Sequence, residues 1–251
     1  MKNYFYIFLL TVALLTGCSN ENEQQSVLTV SAAASLSDVL EEIATQFQEH
    51  YPNIEIQFNF GGSGSLKGQI EQGAPVDVFI SASTEKFNEL VEDGLVEDGT
   101  NLVRNELVLI TSTKQEGITM FQDLLSDDIE KIALGTPDVV PAGEYGQQAL
   151  QYYGVWATIE SKIVYAKDVR QVLTYVETNN VQAGIVYKTD ALSSDKVRIV
   201  QTAEQISHDA IVYPAGVVTN SARLEESHVF LDYLAGENVQ QIWQQYGFEM
   251  E

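Results

Sequence analysis

The sequence predicts an α/β fold of two lobes, each a mostly parallel sheet with helices on both faces. Three observations predict it. Strand-like and helix-like patterns alternate from Val27 to the C-terminus, as they do when helices cover a parallel sheet. The chain has 251 residues, 45% of them apolar, which is enough for two moderate cores and too apolar for a disordered chain. The turns that lead from strand to helix are rich in Ser, Gly and Ala, and open α/β sheets place such turns around a ligand crevice.

The elements follow in chain order. Met1-Lys2-Asn3 is a weakly positive start, residues 4–15 are almost wholly apolar, and Leu15-Thr16-Gly17 leads into Cys18, the only cysteine. This is the layout of a secretion signal, and its apolar run falls short of the ~20 residues that span a bilayer. Residues 19–26 hold only Ser, Asn, Glu and Gln and read as a tether. Residues 27–30 form a short apolar strand, and Val39, Leu40, Ile43 and Phe47 recur on one face of a helix. Ile54, Ile56, Phe58 and Phe60 alternate as a strand does, 66–72 reads as a helix and 77–80 as a buried strand. Phe87, Leu90 and Val91 share a helix face that Gly94 ends. Strands are expected at 107–110, 132–134, 163–165, 183–187, 197–200 and 211–213, with helices at 145–153 and 170–177 between them. From Leu224 the tail is helical, with Val229, Phe230, Tyr233 and Leu234 spaced for burial.

Composition excludes several functions. Thirteen basic and 36 acidic residues give a net charge of −23, and loss of residues 1–17 would remove Lys2 and no acid, leaving −24. Such a surface disfavours nucleic acid. It also repels anions, but only within about 8 Å at physiological ionic strength. An anion site on this chain must therefore work through local dipoles. His50, His208 and His228 stand at no motif spacing, and one cysteine provides no paired metal set. Gly61-Gly62-Ser63-Gly64-Ser65 lacks the glycine a nucleophile elbow needs at position 65, and Lys67 breaks the dinucleotide pattern. No catalysis and no cofactor are expected.

Four strand-to-helix turns carry the chemistry: 31–36, 61–66, Pro141-Ala142-Gly143 and Asp168-Val169-Arg170, with Asp168 placed to cap its helix. The first N–H groups of a helix have no intrahelical acceptor, and the helix dipole adds positive character there. Together such turns can surround a small anion. Each alone has a plainer reading: Ser35 or Ser37 as an N-cap, the glycine-rich stretch as a flexible turn, Tyr187 as a core tyrosine.

These segments resemble the molybdate-binding proteins of ABC-type importers, within the type II periplasmic binding fold. The likeness is carried by Ala32-Ala33-Ala34-Ser35-Leu36, 69–75, 77–82, Gly135-Thr136-Pro137, 140–143, Asp168-Val169-Arg170, Gly184-Ile185-Val186-Tyr187 and Tyr246-Gly247-Phe248, in order from about Leu28 to the end. The resemblance implies an oxyanion, molybdate or tungstate, held by neutral donors: hydroxyl and N–H of Ser35 and Ser63, N–H of Ala142 and Val169, and the phenol of Tyr187. Relatives often have a serine run where this chain has glycines, so Ser65 could share or replace the role of Ser63. Molybdenum would enter only as that oxyanion. Residues 15–18 resemble a lipobox, which implies lipid on Cys18 and attachment to the outer face of a bacterial cell membrane. The implied partners are a membrane permease and its ATPase, with the protein itself a monomer. Sulfate, phosphate or a sensory role remain alternatives. The expected division is a signal peptide at 1–17, a lipidated tether at 18–26, lobe one at 27–102 plus 211–251, and lobe two at 103–210.

Overall fold

The computed structural model describes residues 25–97 and 99–250. The expected signal segment, Cys18 and most of the tether lie outside them. Strand β1 (Ser26–Ala33) leads through a 3₁₀ turn (Ala34–Leu36) into helix α1 (Ser37–His50), then β2 (Ile54–Gly61), α2 (Ser63–Glu71), β3 (Val78–Ile80), α3 (Thr84–Glu92) and β4 (Thr100–Arg104). Next come β5 (Leu107–Ser112), β6 (Ile132–Gly135), α4 (Pro141–Tyr152), a short α5 (Trp156–Ile159), β7 (Ile163–Ala166), α6 (Val169–Glu177), β8 (Ala183–Tyr187), α7 (Lys188–Leu192) and β9 (Val197–Thr202). The chain ends with β10 (Val212–Val217), α8 (Leu224–Ala235), α9 (Glu237–Gln245) and β11 (Glu249–Met250). No helix among the described residues is long and apolar enough to cross a membrane.

Two sheets result, ordered β11-β4-β10-β3-β1-β2 and β7-β6-β8-β5-β9. Each is mixed, which corrects the expectation of mostly parallel sheets. β1 pairs parallel with β2 and β3, and β6 pairs parallel with β7 and β8. β10 and β5, however, enter their sheets antiparallel to β3 and β8. A parallel neighbour needs a crossover over the sheet face. These two strands arrive from the other lobe instead. Ser26, expected in the tether, opens β1 and pairs with Ile54.

Local physics explains the helices that frame the cleft. Helix α1 buries Val39, Leu40, Ile43, Ala44 and Phe47, and Phe47 meets Phe230 of α8 edge to face with ring centroids 5.0 Å apart. The tail breaks into two helices at Gly236, and the buried Trp243 of α9 donates its indole N–H to the Leu234 carbonyl at 3.2 Å. Helix α2 begins three residues before the expected start, because the glycine-rich turn is its first turn and not a loop. Gly94, at φ +71°, ends α3 as expected. In α6, Val169, Val172, Leu173 and Val176 form the buried stripe, and the Asp168 carboxylate accepts from Gln171 N–H at 2.8 Å. This cap orients the helix start at the cleft. Asp168→Ala should lower stability by about 0.5–2 kcal/mol in chemical denaturation, while Lys167→Ala, whose ammonium is exposed, should change little.

Candidate functional site

The carboxyl ends of the parallel strands in both sheets face one another, and five turns meet there. Ser35 follows β1, Ser63 follows β2, Ala142 lies in the first turn of α4 after β6, Val169 opens α6 after β7, and Tyr187 ends β8. All five line one cavity with about 200 Å³ of space between atoms, together with Ala33, Ala34, Gly61, Gly62, Ala82, Val140 and Pro141. No lining residue carries a charge. The structure thus brings together every residue the resemblance implied, and Ser65 faces solvent.

The polar groups are arranged as donors. Ser63 Oγ already accepts the Ala82 N–H at 2.9 Å, which leaves its own O–H to give. The Tyr187 hydroxyl is buried and has no hydrogen-bond partner among the described residues. Burial, and then the neighbouring Tyr213, push its pKa well above the ordinary phenol value, so it remains a neutral donor. Ala142 and Val169 sit in first helical turns, where N–H groups lack an intrahelical acceptor. Neither Ser35 nor Ser37 caps α1: its N-cap is Leu36, without a side-chain bond. Tyr145 of α4, buried beside the site, donates its hydroxyl to the Ala82 carbonyl at 3.3 Å across the cleft.

Sequence reasoning missed how the lobes touch around this cavity. Gly64 N–H donates to the Val139 carbonyl at 3.0 Å, joining α2 to the turn before α4. A Cβ on Gly64 would stand 2.7 Å from Val139 Cα, and one on Gly62 would stand 2.7 Å from the Val139 oxygen. The glycines that interrupt the expected serine run thus allow backbone to meet backbone. Arg170 spans the same seam. From the second lobe it reaches the Ala34 carbonyl at 3.4 Å, Ser37 Oγ at 2.9 Å and the Asp38 carboxylate. On its own side it bonds Ser193 Oγ at 2.8 Å and pairs with Asp190 at 3.4 Å. This cation is committed to carboxylates and does not line the cavity.

Residues 28–249 match the family of bacterial extracellular solute-binding proteins. The chain belongs to that family. As a solute-binding protein it captures a ligand outside the cytoplasm and is not an enzyme. It is 46% identical over 259 residues to YvgL of Bacillus subtilis (strain 168), whose name describes a candidate ABC transporter substrate-binding lipoprotein; the match covers 100% of this chain and 99% of that one. It is 36% identical over 243 residues to the molybdate-binding protein ModA of Escherichia coli (strain K12), covering 92% of each. A solved structure, described as the substrate binding domain of a candidate molybdenum ABC transporter from Clostridium difficile, matches with a TM-score of 0.68 and 35% identity, over 90% of this chain and 99% of that chain. The family resemblance and the two-lobed fold read from the sequence both hold.

Asp190 gives this solute-binding protein a titratable group beside the site. Burial pushes its carboxyl up to about 7, although Arg170 pulls in the opposite direction. An unfolded Asp titrates near 3.9, so the folded state holds the proton more tightly. The associated stability is full below about pH 4 and is lost as pH rises through 7. Asp190→Asn removes this dependence. Thermal melts at pH 5 and pH 8 should show wild type losing ground to Asp190→Asn at the higher pH; a constant gap would contradict the assignment.

Proposed function

We propose that the protein captures molybdate, and tungstate through the same contacts, between its lobes and delivers it to an ABC-type permease and its ATPase. One observation carries the reading: hydroxyl and backbone donors from both sheets converge on a cavity without a charged lining residue. A dianion would receive the hydroxyls of Ser35, Ser63 and Tyr187 and the N–H groups of Ala142 and Val169, with helix starts adding favourable dipole. The relatives named for molybdate support the choice of solute.

Neutral donors suit capture and release. Each hydrogen bond to a charged group contributes about 1.5–3 kcal/mol, and lobe ordering takes back a share. With no fixed countercharge, release leaves no buried ion unpaired. Hydrogen phosphate fits less well, because its own O–H needs an acceptor and no carboxylate lines the cavity. Sulfate would meet the same donors as molybdate, and cavity size is what would separate the two.

In this reading the lobes divide at the two passages between sheets, 105–106 and 203–211. A single chain supplies the whole site, so the protein works as a monomer. Lipid on Cys18 holds it at the outer face of the membrane, which the lipoprotein name of a relative supports. Mass spectrometry of the mature N-terminus tests the anchor: an unmodified Cys18 would exclude it.

Calorimetric titration of the purified protein with molybdate, tungstate, sulfate and phosphate should give tight binding for the first two alone. Binding of phosphate alone would overturn the proposal. Ser35→Ala should weaken molybdate by about 1.5–3 kcal/mol, roughly ten- to a hundredfold.

A further inference from the structure

A chain of polar contacts runs from the cavity to the passage between the lobes. Ser35 Oγ lies 2.9 Å from the Tyr213 hydroxyl. Asn105 Nδ2 lies 3.2 Å from that hydroxyl and 2.9 Å from Thr189 Oγ1. Tyr213 belongs to β10 in the first sheet, Thr189 to α7 in the second lobe, and Asn105 to the passage between β4 and β5. Tyr213 is fully buried, so each of its polar valences must be met by protein or ligand.

The direction of every bond in this chain follows from one fixed donor. The backbone N–H of Glu106 donates to Asn105 Oδ1 at 2.9 Å. A peptide N–H can only donate, so the amide cannot be turned over, and its NH₂ faces Tyr213 and Thr189. Asn105 therefore gives a hydrogen to the phenol oxygen. The phenol's own hydrogen then needs an acceptor. Among the described residues, the polar atoms bonded to the Tyr213 hydroxyl are Asn105 Nδ2, which is a donor, and Ser35 Oγ. Ser35 Oγ thus accepts from Tyr213. Its own O–H is left to point to the cavity that it lines.

We infer that Tyr213 and Asn105 are positioning residues that set the polarity of Ser35, so that it meets the oxyanion as a donor. The inference rests on the oxyanion reading above and adds two residues to it. Each donor in such a series polarises the next, which strengthens the last bond to the anion. The series also ties the ligand contact of the first lobe to the passage that joins the lobes.

Reversing the first donor tests this. In Asn105→Asp, the introduced carboxylate can still accept from Glu106 N–H but has no hydrogen for the phenol. Tyr213 then donates to that carboxylate, Ser35 donates to Tyr213, and Ser35 presents a lone pair to the anion. Molybdate titrations should show Asn105→Asp weakened by about tenfold or more and Tyr213→Phe weakened by a smaller factor. The double variant Asn105→Asp with Tyr213→Phe separates polarity from charge. Polarity acts only through the phenol, so the double should bind as Tyr213→Phe alone does. A charge effect of the new carboxylate would persist, and a double variant weakened by both factors would overturn the inference. Circular dichroism melts establish that each variant is folded; if Asn105→Asp does not fold, Tyr213→Phe binding molybdate as wild type does would by itself overturn the relay. Wild-type binding of molybdate with an unaltered affinity in Asn105→Asp would overturn the relay alone. Wild type indifferent to molybdate, tungstate and sulfate would overturn the parent reading and the relay with it.

Discussion

A small dianion taken out of water loses a strong hydration shell, and only hydrogen-bond donors aimed inward can replace it. The cavity offers such donors from serine and tyrosine hydroxyls and from first helical turns. Ser63 Oγ already accepts from Ala82 N–H, and Ser35 Oγ lies 2.9 Å from the Tyr213 hydroxyl, which the inferred polarity makes its donor. Helix starts supply the remaining donors without any residue specialised for the task. Two mixed sheets with their parallel strand ends face to face are what bring those starts within reach of one point.

The same constraint explains the treatment of charge. A chain of net charge −23 cannot draw an anion by its overall field, and an ammonium in the cavity would leave a buried cation unpaired after release. Arg170 stands one residue from Val169, yet its guanidinium is held by Asp38 and Asp190. Burial would lower its pKa, but the two carboxylates raise it, so it stays charged. Its effect is to span the seam between lobes beside the cavity. Gly62 and Gly64 add a backbone seam on the other side. These hydrogen bonds across the seam fall on residues other than the five proposed for the ligand, although the Tyr187 ring meets that of Tyr213 from the other lobe with centroids 6.0 Å apart.

Much of this was legible in the sequence, for identifiable reasons. Alternation of Ile54, Ile56, Phe58 and Phe60, and the stripe Val39, Leu40, Ile43 and Phe47, mark elements whose buried faces follow a single period. The cavity residues were found because helix starts and a family pattern both pointed to them. What stayed hidden depends on which strands meet. The antiparallel entry of β5 and β10 leaves no local trace, so the sheets read as mostly parallel. Tyr213 looks like any aromatic residue in an apolar strand, and Asn105 like any loop polar residue. Only tertiary structure places them 3.2 Å apart behind Ser35. Gly62 and Gly64 were visible, but as a flexible turn; their use lies in what stands opposite them.

In the proposed complex a metal oxyanion sits among neutral donors contributed by both lobes. Anomalous diffraction at the molybdenum edge, from crystals of the protein grown with molybdate, tests it most directly. One strong molybdenum peak is expected between the lobes, with oxygens in hydrogen-bond reach of Ser35, Ser63, Ala142, Val169 and Tyr187 and none on a charged side chain. A peak elsewhere, or an anion held by Arg170, would contradict it.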